Sequence, residues 1–110
     1  MTKKVLIICA GGMSSSLIAK QTMDKLVGEG KDVFVEACGT GSGRKRIEEN
    51  TYDLYLISPQ TRMYFKDLKA VADKVGSKID QIPPQAYVPI PTGINNMAKL
   101  VEKNIELEKL

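Results

Sequence analysis

No histidine and no tryptophan occur among the 110 residues. The first absence excludes every mechanism that needs the chain's own imidazole as base, nucleophile or phosphate carrier. Covalent chemistry must therefore run through Cys, Ser, Thr, Lys, Tyr or a carboxylate. Cysteine is scarce too, with Cys9 and Cys38 alone. Two are too few for a disulfide scaffold and fit a reducing compartment. With no histidine and no C-x-x-C pair, neither zinc nor another metal site is expected. Aromatics make up 5% of the chain, the net charge is only +3, and the basic run Arg44-Lys45-Arg46 is short. A nucleic-acid binder shows a concentrated basic face with stacking aromatics, so no nucleic-acid partner is expected. The Walker pattern G-x-x-x-x-G-K-[ST] is absent, and "GTGSGR" fails as G-x-G-x-x-G because Arg44 stands at the last glycine.

Long apolar runs are missing as well. A spanning helix needs ~20 apolar residues, and nothing here approaches that. "MTKKVLIICAGG" places two lysines before an apolar run, but the run has the length of a strand, short of the ~7–15 residues of a signal-peptide core. The expectation is a cytoplasmic protein. At 43% hydrophobic and 26% charged, the chain has an ordinary soluble composition and a length that suits one compact domain, 1–110.

The order of elements is legible from periodicity. Residues 5–8 form a continuous apolar run, the mark of a strand buried on both faces. A helix is expected over about 15–28, with Ala19, Met23, Leu26 and Val27 on one face and Gly28 and Gly30 ending it. Residues 32–37 read as a second strand, 38–43 as a glycine-rich loop, and 44–50 as a short polar helix. A third strand spans 52–58, up to Pro59. A helix follows over about 61–75, closed by Gly76, and then a fourth strand over 78–82. The proline-rich segment 83–91 cannot be regular helix or central strand. A last helix spans about 92–108. Strict β-α alternation predicts an α/β fold: a four-stranded parallel sheet with helices on both faces and right-handed crossovers. Ligands in such sheets bind beyond the C-terminal strand edge, which here carries Cys9, Cys38 and Ser58-Pro59-Gln60.

The stretch "VLIICAGGMSSSLIA" concentrates the chemistry. Gly11 and Gly12 let the backbone bend sharply and approach a ligand without a Cβ in the way. Successive amides in such a turn form an anion nest, and the helix behind adds unpaired N–H groups and its positive dipole end. Ser14, Ser15 and Ser16 can cap the helix and donate to oxyanions. The same field favours thiolate over thiol. One construction thus activates a sulfur nucleophile and holds a phosphoryl group on it. The plainer reading is a small core cysteine before an ordinary strand-to-helix turn. Small cysteine phosphatases carry Cys, five residues, Arg, then Ser or Thr. Counted from Cys9, the arginine position is Ser15, followed by Ser16. That arginine would clamp the transition state, and the chain also lacks the Asp-Pro acid loop of such enzymes. The site is built to hold a phosphoryl group and poorly equipped to hydrolyse one.

"CAGGMSSSLIA" after the first strand and "DLYLISPQ" at the third, with this order of elements over nearly the whole chain, resemble the IIB components of the bacterial phosphotransferase system, lactose/cellobiose/chitobiose branch. The resemblance implies a three-layer sandwich like that of low-molecular-weight tyrosine phosphatases. It implies that Cys9 is the phosphorylated residue and that Ala10, Gly11, Gly12, Met13, Ser14, Ser15 and Ser16 form the phosphate loop. It also implies two partners: a IIA component whose phosphohistidine is the donor, and a membrane-embedded IIC component holding the sugar. No cofactor is implied, because the phosphoryl group is carried covalently on Cys9, and the carrier is expected to act as a monomer. Cellobiose or diacetylchitobiose is favoured over lactose on loop resemblance.

Gln60 and Tyr87 are accessory candidates at the same edge: Gln60 to orient the loop, Tyr87 to close over it. Each also has a structural reading, as a turn residue and as a ring packed on prolines. Cys38 reads as structural or incidental, since no serine-rich helix start follows it. Arg44-Lys45-Arg46 reads as a solvated helix face, or as a docking patch for an acidic partner. The alternatives to the carrier are a cysteine phosphatase or arsenate-reductase-like enzyme and a non-catalytic anion-binding domain.

Overall fold

Seven residues near the start of the chain, Lys3–Cys9, form β1, and the last five of them are buried. A strand hydrogen-bonded on both sides and covered on both faces must be apolar throughout, which is why "VLIIC" has no alternation. The structure, a computed structural model, describes residues 2–10 and 13–110, with Met13 and Ser14 described in their backbone alone. β1 pairs in parallel with β2 (Lys31–Gly39) and with β3 (Leu54–Ile57), and β3 pairs in parallel with β4 (Ile79–Gln81).

Side-chain alternation splits the core in two. Val5 and Ile7 of β1 face a layer made by α1 (Met13–Gly28) and α4 (Pro91–Asn104). Leu6 and Ile8 face the other layer, made by α2 (Thr40–Glu49) and α3 (Phe65–Val75). The result is a three-layer α/β sandwich. Leu6, Ile7, Ile8, Leu54, Leu56 and Ile57 are wholly buried, each worth about 1.5–3 kcal/mol of transfer free energy. Gly76 (φ 74°) ends α3 in the left-handed conformation, and its N–H donates to the Ala72 carbonyl. No helix among the described residues is long and apolar enough to cross a membrane.

Several expectations are corrected. The sheet is mixed and five-stranded, in the order β4-β3-β1-β2-β5, because Glu108–Lys109 forms β5 and pairs antiparallel with Lys31 and Asp32. The last helix therefore stops at Asn104, where Ile105 turns extended (φ −141°, ψ 150°). The tail that follows covers the open edge β2 would otherwise present. The segment 38–43 is not a loop, since β2 runs to Gly39 and α2 begins at Thr40. Gly43 is there for proximity, because a Cβ on it would lie 2.8 Å from Ile8 Cγ2. Finally, the expected helix over 61–75 opens as a 3-10 segment, Pro59–Tyr64, before α3 proper. Val27, expected on the buried face of α1, is exposed; the buried row is Ser15, Ile18, Ala19, Thr22 and Leu26.

Thr22 is wholly buried and its Oγ1 has no hydrogen-bond partner among the described residues. A buried unpaired hydroxyl costs about 1–3 kcal/mol. Thr22→Val, nearly the same shape, is expected to stabilise the fold by about 1 kcal/mol. Urea unfolding would show a higher midpoint with unchanged slope; a lower midpoint would contradict this.

Candidate functional site

Cys9 is the last residue of β1 and is 2% exposed. Parallel pairing sets Ile8 opposite Cys38 and Cys9 opposite Gly39, and Ser58 N–H donates to the Ile8 carbonyl at 2.9 Å. The cysteine thus emerges between two strand ends, and α1 begins four residues later at Met13. Its thiol donates to the Cys38 carbonyl at 3.6 Å. The first turn of α1 turns Ser15 inward, where it is buried, and Ser16 outward. Ala10 is exposed. Of the other expected loop residues, Gly11 and Gly12 lie outside the described residues, and nothing is described of the Met13 and Ser14 side chains.

Tyr87 lies beyond the fourth strand, half-buried. It follows the 3-10 turn Pro84–Ala86 beyond β4, donates its N–H to the Pro84 carbonyl at 3.1 Å, and packs its ring against the α1/α4 side of the core. Cys9 and Ser15 are among the groups that act on its phenol. Burial first, then the neighbouring sulfur, push the Tyr87 phenol up to about 12. Gln60, by contrast, is exposed in the 3-10 segment after β3 and has no hydrogen bond to the loop among the described residues.

Two residues hold the strand end behind Cys9. Ser58 and Thr61 are wholly buried, with their hydroxyls 2.9 Å apart. Thr61 Oγ1 also donates to the Ile8 carbonyl at 3.3 Å. Thr61 was not singled out from sequence; a Thr three residues after a strand-ending Ser-Pro is the signal that would have found it.

Cys38 points to the opposite face, by the same alternation that puts it level with Ile8. It is half-buried, and burial pushes its thiol up against the opposing pull of Ser42 and Arg46. The basic run divides. Arg46 turns inward and donates to the Tyr52 hydroxyl at 2.8 Å, which itself donates to Glu36 at 2.6 Å. Arg44 pairs with Glu48 at 3.3 Å on the outer surface. Among the described residues no group of His, Cys, Asp or Glu could hold a metal ion.

Leu17 at the start of α1, Met63 and Tyr64 after β3, and Val88 and Ile90 after Tyr87 are exposed. Scattered apolar side chains are ordinary on a surface, and Ile90 lines a hollow with Gln21 and Lys25 of α1.

Known proteins share this fold. The family described as "PTS system, Lactose/Cellobiose specific IIB subunit" matches residues 4–103. The lactose-specific EIICB component of the PTS system from Lactococcus lactis subsp. lactis is 36% identical over 84 residues, 76% of this chain and 14% of that protein. The corresponding component from Streptococcus mutans is 31% identical over the same shares. The chain thus spans about one-seventh of the length of the curated relatives it matches. Among solved structures, the lactose-specific IIB component domain from Streptococcus pneumoniae superposes with a TM-score of 0.81 at 22% identity, over 96% of this chain and 100% of that one. The cellobiose-specific IIB component of Borrelia burgdorferi gives 0.68 at 20%, over 94% and 89%. At such identities the two structures speak to the fold, while the family match and the relatives speak to descent. The chain belongs to the lactose/cellobiose-specific IIB subunits of the phosphotransferase system.

Proposed function

We propose that the chain is a cytoplasmic phosphoryl carrier. Cys9 accepts phosphate from a phosphohistidine of a IIA component and passes it to a β-disaccharide of the lactose/cellobiose class held by a IIC component. The observation that carries this reading is the placing of Cys9: a thiol at the end of a central strand, four residues ahead of a helix N-terminus whose first turn buries Ser15. Amides and dipoles aimed at one point stabilise charge developing on phosphoryl oxygens.

In the first half-reaction the Cys9 thiol loses its proton and the sulfur attacks phosphorus in line. The S–P bond forms, the P–N bond of the phosphohistidine breaks, and the proton ends on the departing imidazole nitrogen. In the second, a sugar hydroxyl attacks phosphorus, the O–P bond forms, the S–P bond breaks, and the hydroxyl proton goes to the sulfur. Ala10, Gly11, Gly12, Met13, Ser14, Ser15 and Ser16 are the proposed cradle. A serine at the arginine position of the cysteine phosphatases removes the clamp that would also assist water. The EIICB designation of the relatives supports a IIC partner, and their lactose specificity widens the sugar class beyond cellobiose and diacetylchitobiose. The exposed apolar residues fit contacts that form and release in turn with two partners.

Incubation with phosphoenolpyruvate, the general phosphotransferase proteins and a IIA of this branch is expected to add one phosphoryl group, read as intact mass. An unchanged mass with IIA shown to be charged would contradict the proposal, as would steady hydrolysis of a generic phosphate ester by the chain alone.

A further inference from the structure

The end of the sheet that carries Cys9 is almost bare of charge. The chain leaves β1, β2, β3 and β4 there through residues 10–19, 40–43, 58–66 and 82–98. No Asp or Glu occurs in any of these segments, although the chain has 13. Arg62 and Lys66 are their only charged residues. A carboxylate beside the sulfur would repel a phosphoryl group, which accounts for the missing acids but not for the arginine.

Arg62 differs from the other two arginines. Arg44 is paired with Glu48, and Arg46 donates to the Tyr52 hydroxyl. Arg62 is exposed and makes no hydrogen bond or ion pair among the described residues. Elsewhere the helices join opposite charges four residues apart, as in Lys20–Asp24, Lys25–Glu29 and Lys69–Asp73. Four residues after Arg62 stands Lys66, a like charge that repels it.

The backbone at Arg62 is tied to the site. It lies in the 3-10 segment Pro59–Tyr64, directly after Thr61, whose hydroxyl donates to the Ile8 carbonyl at 3.3 Å. Ser58 N–H donates to the same carbonyl at 2.9 Å and Ile82 N–H to the Ile57 carbonyl at 2.8 Å, so the ends of β1, β3 and β4 are held side by side. Over β3 and β4, Arg62 lines a hollow of about 260 Å³ with Pro59, Gln81, Ile82, Pro83 and Pro84. With strands about 4.8 Å apart, it opens roughly 5–10 Å to the side of Cys9. Prolines stiffen its walls. It is smaller than the ~300–1,000 Å³ of a small-molecule site and suits one side chain rather than a disaccharide. Met63 and Tyr64 follow Arg62 and are exposed too; all three residue types are enriched in protein interfaces.

A guanidinium offers a rigid fork that a carboxylate meets with two parallel hydrogen bonds. Of the two reactants in the carrier reading, the phosphohistidine is anionic and the sugar is neutral, so a cationic edge draws the donor. Resting on that reading, we propose that Arg62 and the hollow beside it are the docking point for an acidic side chain of the phosphohistidine donor. The pair forms to one side of the reacting atoms. It sets how readily and in which register the donor meets Cys9, and leaves the transfer step itself alone.

Arg62→Gln removes the charge at an exposed position. In the phosphorylation assay it is expected to raise the half-saturating concentration of phospho-IIA about three- to tenfold, with the saturating rate within about twofold and the melting temperature retained. Added salt screens exposed charges, so it is expected to raise half-saturation more for the wild type than for Arg62→Gln. Lys103→Gln makes the same charge change in the last turn of α4 and is expected to leave half-saturation within about twofold. Unchanged half-saturation in Arg62→Gln overturns the proposal. So does an equal rise in Lys103→Gln, which would make the effect one of net charge. A fall in saturating rate alone also overturns it, by placing Arg62 on the phosphoryl group. A second arm needs no transfer: calorimetric titration with uncharged IIA is expected to show weaker binding by Arg62→Gln than by the wild type, and equal affinities overturn the docking. A wild-type chain that binds IIA through Arg62 yet is never phosphorylated overturns the carrier reading and keeps the docking point; one that binds no IIA overturns both.

Discussion

Replacing Cys9 by serine is expected to lower sugar phosphorylation in the reconstituted system on the order of a thousandfold or more, as loss of a nucleophile does. Cys38→Ser is expected to stay within about twofold, the scale of a substitution away from the reacting atoms. A hydroxyl in place of the thiol keeps the shape, but it is far harder to ionise and a poorer leaving group from phosphorus. The two cysteines lie near the ends of neighbouring strands at the same edge yet differ in face. Cys9 continues the row of Val5 and Ile7, whereas Cys38 is level with Ile8 and packs on the α2/α3 side. The contribution Cys38 makes to Cys9 comes from its backbone carbonyl, which serine retains. The rate of sugar-phosphate formation checks both variants. A Cys38→Ser loss as large as that of Cys9→Ser would place the second thiol in the relay and contradict this geometry.

The second large effect concerns a glycine. Gly93→Ala is expected to destabilise the fold by about 3 kcal/mol, a fall in melting temperature of roughly 10 °C or more. Alanine would ordinarily strengthen a helix by about 1 kcal/mol over glycine. Here its Cβ would stand 2.3 Å from the Val88 carbonyl oxygen and 2.8 Å from Val88 Cγ2, and backbone cannot swing aside as a side-chain tip can. Gly41→Ala is the contrast. It lies in α2 and a Cβ there meets nothing within 4 Å, so a gain of up to about 1 kcal/mol is expected. Thermal unfolding of the two variants side by side decides; equal effects would contradict the packing described for α4.

These glycines also mark where the sequence stops being legible. Gly39, Gly41 and Gly43 in "CGTGSG" read as loop by local preference, yet Gly43 allows α2 to lie against Ile8, a tertiary demand with no local trace. β5 could not be foreseen because two charged residues, Glu108 and Lys109, carry no alternation; they are strand only because the edge of β2 is open. The apolar runs at 5–8 and in the third strand were legible because strands buried on both faces have nothing polar to place. At the site, Cys9 stands out through its local surroundings: a strand end, a glycine pair and a helix start. Tyr87 arrives from about 80 residues downstream and could be suspected only from its position beyond the fourth strand. Thr61 and its bond to the Ile8 carbonyl depend on how β3 aligns with β1, and residue type alone does not carry that register.

The most direct measurement is the mass spectrum of tryptic fragments from the phosphorylated chain. Cleavage after Lys4 and Lys20 isolates residues 5–20 with Cys9, and cleavage after Lys31 and Arg44 isolates 32–44 with Cys38. One phosphoryl group is expected on the fragment 5–20, fragmenting at Cys9. The label on residues 32–44, on a serine of the loop, or elsewhere in the chain would contradict it.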